Sequence, residues 1–225
     1  MTLLDLISPR RCLFTLLCIA MTASAQSSES LDLTAVGKDP RWKISGRTVS
    51  VVDAKGKRAL KINEGEGMGV VWLDAYDFAD GVIEIDMLGR SQPVQGSFLG
   101  VSFHVADAQT HEAVYFRPFN FRAADPVRHR HAVQYVSHPR WPWQTLRSEH
   151  PDDYEKAVLP EPDGDEWFHV RVVVERLSVT VFVNGATTPC LSVKELGGGA
   201  RGSIGLWVGE GSGGHFANLR VARTK

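Results

Sequence analysis

The chain contains 225 residues, of which 25 are lysine or arginine and 26 are aspartate or glutamate, for a formal net charge of −1 at pH 7. A charge so close to zero gives no electrostatic reason to expect a nucleic acid or an anionic membrane surface as a partner. The 21 glycines and 11 prolines, without a repeat of solenoid or propeller period, favour a globular domain with many turns.

The first 25 residues have the pattern of an export signal. Arg10 and Arg11 precede the apolar run 12–21, and Ala23-Ser24-Ala25 follows it. This order predicts a Sec-type signal peptide with cleavage near Ala25, and the adjacent arginines also fit a twin-arginine signal. The run is shorter than the roughly 20 residues that span a bilayer, so no membrane anchor is expected. The protein is therefore predicted to be exported, to the periplasm or the extracellular medium.

The length and the cysteine content of the chain after signal cleavage indicate what kind of domain it forms. Removal of 25 of the 225 residues leaves 200, enough for one domain that buries about 70 % of the surface of its unfolded chain. Cleavage would leave Cys190 as the one cysteine, so the fold must depend on its core rather than on disulfides. We expect Cys190 to be a buried, inert thiol. The prediction is a leader at 26–40 and one monomeric domain at 41–225.

Short segments rich in β-branched residues follow one another along the chain. The first half is predicted to form strands at 42–45, 48–52, 59–62, 69–73, 81–88, 97–105, 113–117 and 130–136. In the second half, valines alternate at 170, 172 and 174 and again at 179, 181 and 183, on either side of a turn at 175–177. This period of two predicts a β-hairpin, and 202–221 adds two more strands. The chain is therefore predicted to be an all-β sandwich of two antiparallel sheets.

The C-terminal half also resembles a known superfamily. The residues that carry the resemblance are Trp167-Phe168-His169, the valine-rich hairpin, Val183-Asn184-Gly185, the Gly-Leu-Trp-Val-Gly run at 205–209 and the Phe-Ala-Asn-Leu-Arg-Val run at 216–221. This order resembles the concanavalin A-like lectin/glucanase superfamily, which includes laminin-G-like modules. The resemblance implies a jelly-roll β-sandwich.

Glu84 and Asp86 invite comparison with the laminarinase-type glucanases of that superfamily. Those enzymes carry Glu-x-Asp-x-x-Glu on one strand, and the last position of this motif is Gly89 here. A retaining glycosidase needs two carboxyl groups about 5 Å apart, so that mechanism is broken unless another strand supplies the second group. We expect Glu84 and Asp86 to lie on a solvated sheet face.

The segment 112–155 has the most unusual composition, since arginines, histidines and aromatic residues are concentrated between proline breaks. Within it, Val114-Tyr115-Phe116-Arg117 and Val133-Gln134-Tyr135 are similar to strand signatures of the 3-keto-disaccharide hydrolase-like domains, which occur in secreted bacterial glycan-degrading proteins. Arg117 and Gln134 match these signatures. Ala132 and Ser137 stand where that family has glutamate and aspartate, which puts a shared mechanism in doubt.

The candidate site is drawn from this segment. Trp141 and Trp143 offer flat apolar faces for sugar rings, although both rings are equally compatible with plugging one end of the sandwich. The predicted hydrogen-bonding groups for a substrate are Arg117, Asn120, Gln134, Tyr135 and Tyr154. The predicted catalytic residues are His131, as a general base, and Glu112, as the carboxylate that orients it.

The sequence offers ligands for a metal ion but does not favour a metal site. His129 and His131 would share a strand face and, with His138 or Glu112, would supply three zinc ligands, but histidines beside arginines are more often hydrogen-bonded surface groups. The acidic stretch at 152–166 contains oxygen ligands for calcium, yet its prolines and spacing favour a solvated loop. No metal and no other cofactor is predicted.

These features predict an exported carbohydrate-active protein. The favoured hypothesis is a hydrolase or lyase that acts on a small glycoside or keto-glycoside in a pocket formed by 112–155. The alternatives are a non-catalytic carbohydrate-binding module and a laminin-G-like protein-binding domain, the latter by analogy of fold.

Overall fold

The structure is a computed structural model that describes residues 28–224, so the predicted signal peptide lies outside the described residues. The strands are β1 (Glu29–Ser30), β2 (Trp42–Ser45), β3 (Val49–Ala54), β4 (Lys57–Ile62), β5 (Gly69–Leu73), β6 (Gly81–Leu88), β7 (Leu99–Val105), β8 (His111–Phe116), β9 (Val133–His138), β10 (Glu155–Lys156), β11 (Phe168–Glu175), β12 (Ser178–Val183), β13 (Leu191–Lys194), β14 (Ser203–Val208) and β15 (Gly214–Arg223). Two short α-helices, α1 (Pro126–Arg130) and α2 (Trp143–Glu149), and two 3-10 turns, Leu33–Ala35 and Pro118–Asn120, accompany them.

The strands form two antiparallel sheets that pack face to face, which confirms the predicted all-β jelly-roll sandwich. Sheet I has the order β13-β12-β11-β6-β15-β4-β3, and β1 pairs with the part of β15 beyond β4. Sheet II has the order β10-β9-β8-β7-β14-β5-β2. Within the described chain, no helix is long and apolar enough to cross a membrane.

The valine hairpin that the sequence predicts is formed by β11 and β12, which lie between β13 and β6 in sheet I. Val172 pairs with Val181 and Val174 with Val179, and all four side chains are fully buried between the sheets. The alternate positions, such as Arg171, point away from the core and remain partly exposed. Period-two alternation therefore appears where one face of a strand meets solvent.

Sheet II differs because both of its faces are covered. Every residue of β7, β8 and β14 is buried. Val101, Val114 and Tyr135 lie side by side in register on the face toward sheet I, while residues of the opposite parity are covered by α1, α2 and the loops around them. The outer face of this sheet is where a site is built.

One predicted strand is partly wrong. The segment 130–136 does not begin as a strand, because Asp125 caps a short helix by accepting hydrogen bonds from Val127 N at 2.7 Å and Arg128 N at 3.2 Å. Pro126 occupies the first turn, where its missing N–H is harmless. His129 therefore lies in α1 and His131 just after it, so the two histidines do not share a strand face.

Candidate functional site

A cleft with a volume of about 620 Å³ lies over the outer face of sheet II. Its aromatic lining consists of Phe98, Tyr115, Phe119, Trp143 and Trp207. Its cationic and imidazole lining consists of Arg117, Arg128, Arg147, His131 and His138. Residues from the strands supply the floor, and residues from α1, α2 and the 3-10 turn Pro118–Asn120 supply the walls.

Strand register explains the floor. Trp207 lies opposite Gly100, Gly100 opposite Tyr115, Tyr115 opposite Gln134, and Gln134 opposite Glu155, so these five residues form one row across β14, β7, β8, β9 and β10. A Cβ atom on Gly100 would meet the Val114 carbonyl oxygen at 2.1 Å. Without one, the rings of Tyr115 and Trp207 pack with their centroids 4.6 Å apart.

Arg117 is fixed by Tyr115 and Gln134 of this row. Its guanidinium donates to the Tyr115 hydroxyl at 2.7 Å, to Gln134 Oε1 at 2.5 Å and to the His131 carbonyl at 3.0 Å. It also lies 4.8 Å from the centre of the Tyr115 ring. Burial raises the pKa of Tyr115 to about 12, so the phenol stays neutral at neutral pH and acts as a hydrogen-bonding group rather than a base.

Glu155 lies at the edge of the row with a side chain that is 2 % exposed. Arg147 donates to its two carboxylate oxygens at 2.7 and 2.6 Å, and Arg117 lies 3.6 Å away. The Arg147 guanidinium is also 4.9 Å from the centre of the Trp143 ring, which stands 40 % exposed at the wall of the cleft. The carboxylate is thus compensated by arginine and is committed to holding the wall in place.

His131 faces the cleft with Nε2 3.4 Å from Glu155 Oε1. Burial lowers the pKa of His131, and the charges of Arg147 and Arg117 lower it further against the opposing effect of Glu155. The imidazole is therefore neutral at neutral pH and able to accept a proton.

Glu112 lies on the opposite face of sheet II, so the predicted pairing of His131 with Glu112 is not formed. Glu112 accepts from the Tyr135 hydroxyl and contacts His104 Nδ1 at 2.7 Å, on the side that faces sheet I. Tyr135 in turn accepts from Leu196 N at 2.8 Å. The ring of Tyr154 packs at 5.8 Å from that of Tyr135 and does not line the cleft. Of the predicted site residues, Glu112, Tyr135 and Tyr154 therefore do not line the cleft.

Of the remaining predicted residues, two line the cleft and two lie outside it. Asn120 lines the cleft and donates to the His131 carbonyl at 3.0 Å. Gln134 is fully buried beneath the floor, where its Nε2 group has no partner. Trp143 lines the cleft, but Trp141 packs on His150 at 5.6 Å and against the core, which is the plugging role for that ring.

Asp86, which was expected on a solvated face, is instead 7 % exposed on sheet I. Burial alone would raise its pKa, but hydrogen bonds from His169, Lys57 and Asn218 lower the pKa well below its usual range. Glu84 lies on the same strand, 3.9 Å from His169 Nε2. This group belongs to sheet I and is separate from the cleft.

Sequence reasoning missed several members of the site. Tyr115 could have been found, because it stands two residues before Arg117 and must share its face. Trp207 could not, because it lies in a continuous buried run, Ser203–Val208, that reads as core on either face. Arg147 and Glu155 meet through the position of α2 on β9, which no local pattern encodes.

Comparison with known proteins shows the fold and not a family. No family model and no curated protein matches the sequence. Among solved structures, the chain is similar to the carbohydrate binding module CBM66 from Bacillus subtilis, with 12 % identity and a TM-score of 0.56 over 80 % of this chain and 94 % of that one. It is similar to a protein of unknown function with a galectin-like fold from Bacillus subtilis, with 16 % identity and a TM-score of 0.54 over 85 % and 92 %. It is also similar to the metal-free exoplasmic/lumenal domain of VIP36, with 11 % identity and a TM-score of 0.57 over 89 % and 93 %.

Proposed function

We propose that this protein binds carbohydrate in the cleft on the outer face of sheet II. The observation that carries the proposal is that flat rings and fixed polar groups meet in one open cleft. Tyr115 and Trp207 form its floor, Trp143 its wall, and Arg117 and Asn120 lie at one end. Aromatic faces pack against the apolar faces of sugar rings, and convergent donors bind hydroxyl groups. The shared fold of the carbohydrate binding module from Bacillus subtilis supports this proposal.

The indole N–H of Trp207 adds to this argument. It is buried at the cleft floor and has no hydrogen-bond partner in the described structure. Buried polar groups are nearly always paired, so an orphaned donor beside a cleft favours a ligand or ordered water as its partner. A hydroxyl-rich ligand supplies the acceptors that the protein leaves out.

Binding without turnover is favoured by the carboxylates. Glu210 is the one acidic residue that lines the cleft within the described chain, and Glu155 beneath it is held by Arg147. A retaining glycosidase needs two carboxyl groups about 5 Å apart that are free to exchange protons and attack carbon. The cleft does not offer that pair.

A second function, a hydrolase or lyase for a small glycoside or keto-glycoside, is favoured by one feature. His131 is neutral, faces the cleft and stands beside a carboxylate, as a general base requires. Its carboxylate partner is Glu155 rather than the predicted Glu112. Arg117 and Gln134, the two residues that match the keto-disaccharide hydrolase-like signatures, contact each other at the cleft floor. We expect either activity to lie outside the cytoplasm, because residues 1–25 have the pattern of an export signal.

The test is a panel of glycosides, oxidised 3-keto glycosides included, incubated with the protein and read by mass spectrometry for products and by calorimetry for binding. We expect retention without conversion. Trp143→Ala should weaken binding at least tenfold, about 1.4 kcal/mol, because it removes a cleft wall. Trp141→Ala is the matched control, since that ring lies outside the cleft.

The outcomes separate the two candidates. Equal affinity of the Trp143→Ala and wild-type proteins would contradict the proposed cleft. A new product that His131→Ala no longer forms, with binding retained, would establish the enzyme instead. Absence of any retained or altered glycoside would leave the cleft without a carbohydrate role.

A further inference from the structure

A second group of ionisable side chains lies between the two sheets, on the opposite face of sheet II from the cleft. His104 of β7, Glu112 of β8 and Glu195, which follows β13, are each at most 3 % exposed at the side chain. His104 Nδ1 lies 2.7 Å from Glu112 Oε1 and 3.9 Å from Glu195 Oε1. One nitrogen from β7, one carboxylate oxygen from β8 and one from the residue after β13 thus lie within 4.8 Å of one another.

Each of these side chains is held by a further hydrogen bond. His104 Nε2 faces the Ala79 carbonyl oxygen at 2.6 Å, which fixes a proton on Nε2 and directs Nδ1 at the carboxylates. The Tyr135 hydroxyl donates to the second oxygen of Glu112, and Gly199 N donates to Glu195 Oε1 at 2.9 Å. Metal-ligating histidines and carboxylates are typically held by such outer contacts, with the second imidazole N–H on a carbonyl or carboxylate.

The charges of the group call for a cation. Glu112 and Glu195 are both buried beside His104 Nδ1, so two carboxylates share one imidazole. Among the described residues, His104 is the one basic side chain that these two carboxylates contact. A divalent ion with two carboxylates and a neutral imidazole would balance the charge without added protons.

A cavity borders this group on one side. A cavity of about 440 Å³ is lined by His104 and Glu195 and by Asp80, Arg176 and the loop 198–200. His104 and Glu195 therefore border a cavity that has room for water beside an ion. The loop approaches closely, since a Cβ atom on Gly197 would meet Glu112 Oε1 at 2.0 Å.

We propose that His104 Nδ1, Glu112 and Glu195 bind a divalent transition-metal ion, with zinc the best fit, and that the ion fastens the loop after β13 to β7 and β8. Imidazole with carboxylate ligands suits zinc, whereas calcium takes six to eight oxygens. Ligand atoms about 2.0–2.2 Å from zinc lie about 3.3 Å from each other, so the ion requires only a small opening of the His104–Glu112 contact. This site is independent of carbohydrate binding.

The test uses the whole protein, purified without chelator and dialysed against zinc sulfate and then metal-free buffer. We expect elemental analysis to find one zinc ion per chain and zinc to raise the Tm by about 4 °C or more over protein treated with EDTA. Glu195→Gln should lose the zinc and its effect on Tm. Glu84→Gln is the matched control, because Glu84 also lies beside a histidine and a second carboxylate, His169 and Asp86.

Loss of zinc by Glu195→Gln would not be explained by unfolding of the variant. Glutamine has the shape of glutamate and removes a repulsive charge, so Glu195→Gln without metal is expected to be at least as stable as EDTA-treated wild type. Two outcomes would overturn the proposal: wild-type protein that retains no zinc, or equal zinc retention by Glu195→Gln and wild type. In the first case the group is a proton-sharing network, and Glu195→Gln then raises the Tm with or without zinc.

Discussion

His111 is 2 % exposed on the outer face of sheet II, and neither ring nitrogen makes a hydrogen bond of normal geometry. Its ring lies 5.1 Å from that of His138, its partner in β9. Burial and the nearby His138 lower the pKa of His111 to about 4, against a smaller opposing effect of Asp107. The His111 imidazole is therefore protonated in the unfolded chain near its ordinary pKa of about 6.5, whereas in the folded protein it stays neutral until the pH is much lower.

The sign and size of the effect follow from these two values. Because the folded pKa is depressed, the contribution to stability is fully present above about pH 6.5 and is lost as the pH falls toward 4. The full loss is about 3 kcal/mol, from about 2.5 pH units at 1.36 kcal/mol each, and about 2 kcal/mol of it is lost by pH 5. His111 alone thus makes a large part of the stability of the domain depend on pH.

His111→Phe tests this reasoning. Phenylalanine keeps a flat ring of similar size and cannot be protonated, so the free energy of unfolding at pH 7.5 should be unchanged or higher. At pH 5.0 the variant should gain about 2 kcal/mol relative to wild type, measured by urea unfolding at both pH values. His111→Gln, which also does not titrate, should show the same change between the two pH values from a lower starting stability. A stability difference between His111→Phe and wild type that is the same at both pH values would refute the argument.

Two further predictions concern single side chains. Arg147→Gln removes the bidentate partner of the buried Glu155 and should lower the free energy of unfolding in urea by about 3 kcal/mol. Arg201→Gln, which breaks a bidentate pair with the exposed Asp77, should cause no measurable loss. Equal losses for the two variants would contradict the role of burial. Burial raises the pKa of Cys190 to about 12, so this thiol should react with a thiol reagent at pH 8 only after unfolding, and rapid labelling of folded protein would show that the strand edge opens.

The fold could be predicted because much of it is local. The hairpin β11–β12 has a valine at every second position from 170 to 174 and from 179 to 183, and the structure places these valines inside as the period requires. Helix α1 was also encoded locally, since Asp125-Pro126 is an N-cap followed by a proline in the first turn, but the strand signal of the next residues obscured it. Helix α2 lacks a side-chain cap, so its first residue carries no such local signal in the sequence.

The candidate site was only partly predictable. Parity along a strand could have separated Glu112 from Arg117 and Tyr135 from Gln134, because residues an odd number apart on one strand point to opposite faces. The meeting of Tyr115 with Trp207 depends instead on the order of β8, β7 and β14 in sheet II, which joins residues 92 positions apart. Such order is a property of the whole fold, and no short pattern contains it.

The pairing of β1 with β15 has a consequence for self-association. Strand β4 covers only the first part of the ten-residue β15, and β1 occupies the edge beside Arg220 and Val221. Unpaired backbone N–H and C=O groups along a strand are a template on which a second chain can add. Glu29 and Ser30 of β1 therefore cover backbone groups of β15 that would otherwise be unpaired. Proteolysis between β1 and the 3-10 turn Leu33–Ala35 would give a domain with an intact core and a tendency to aggregate.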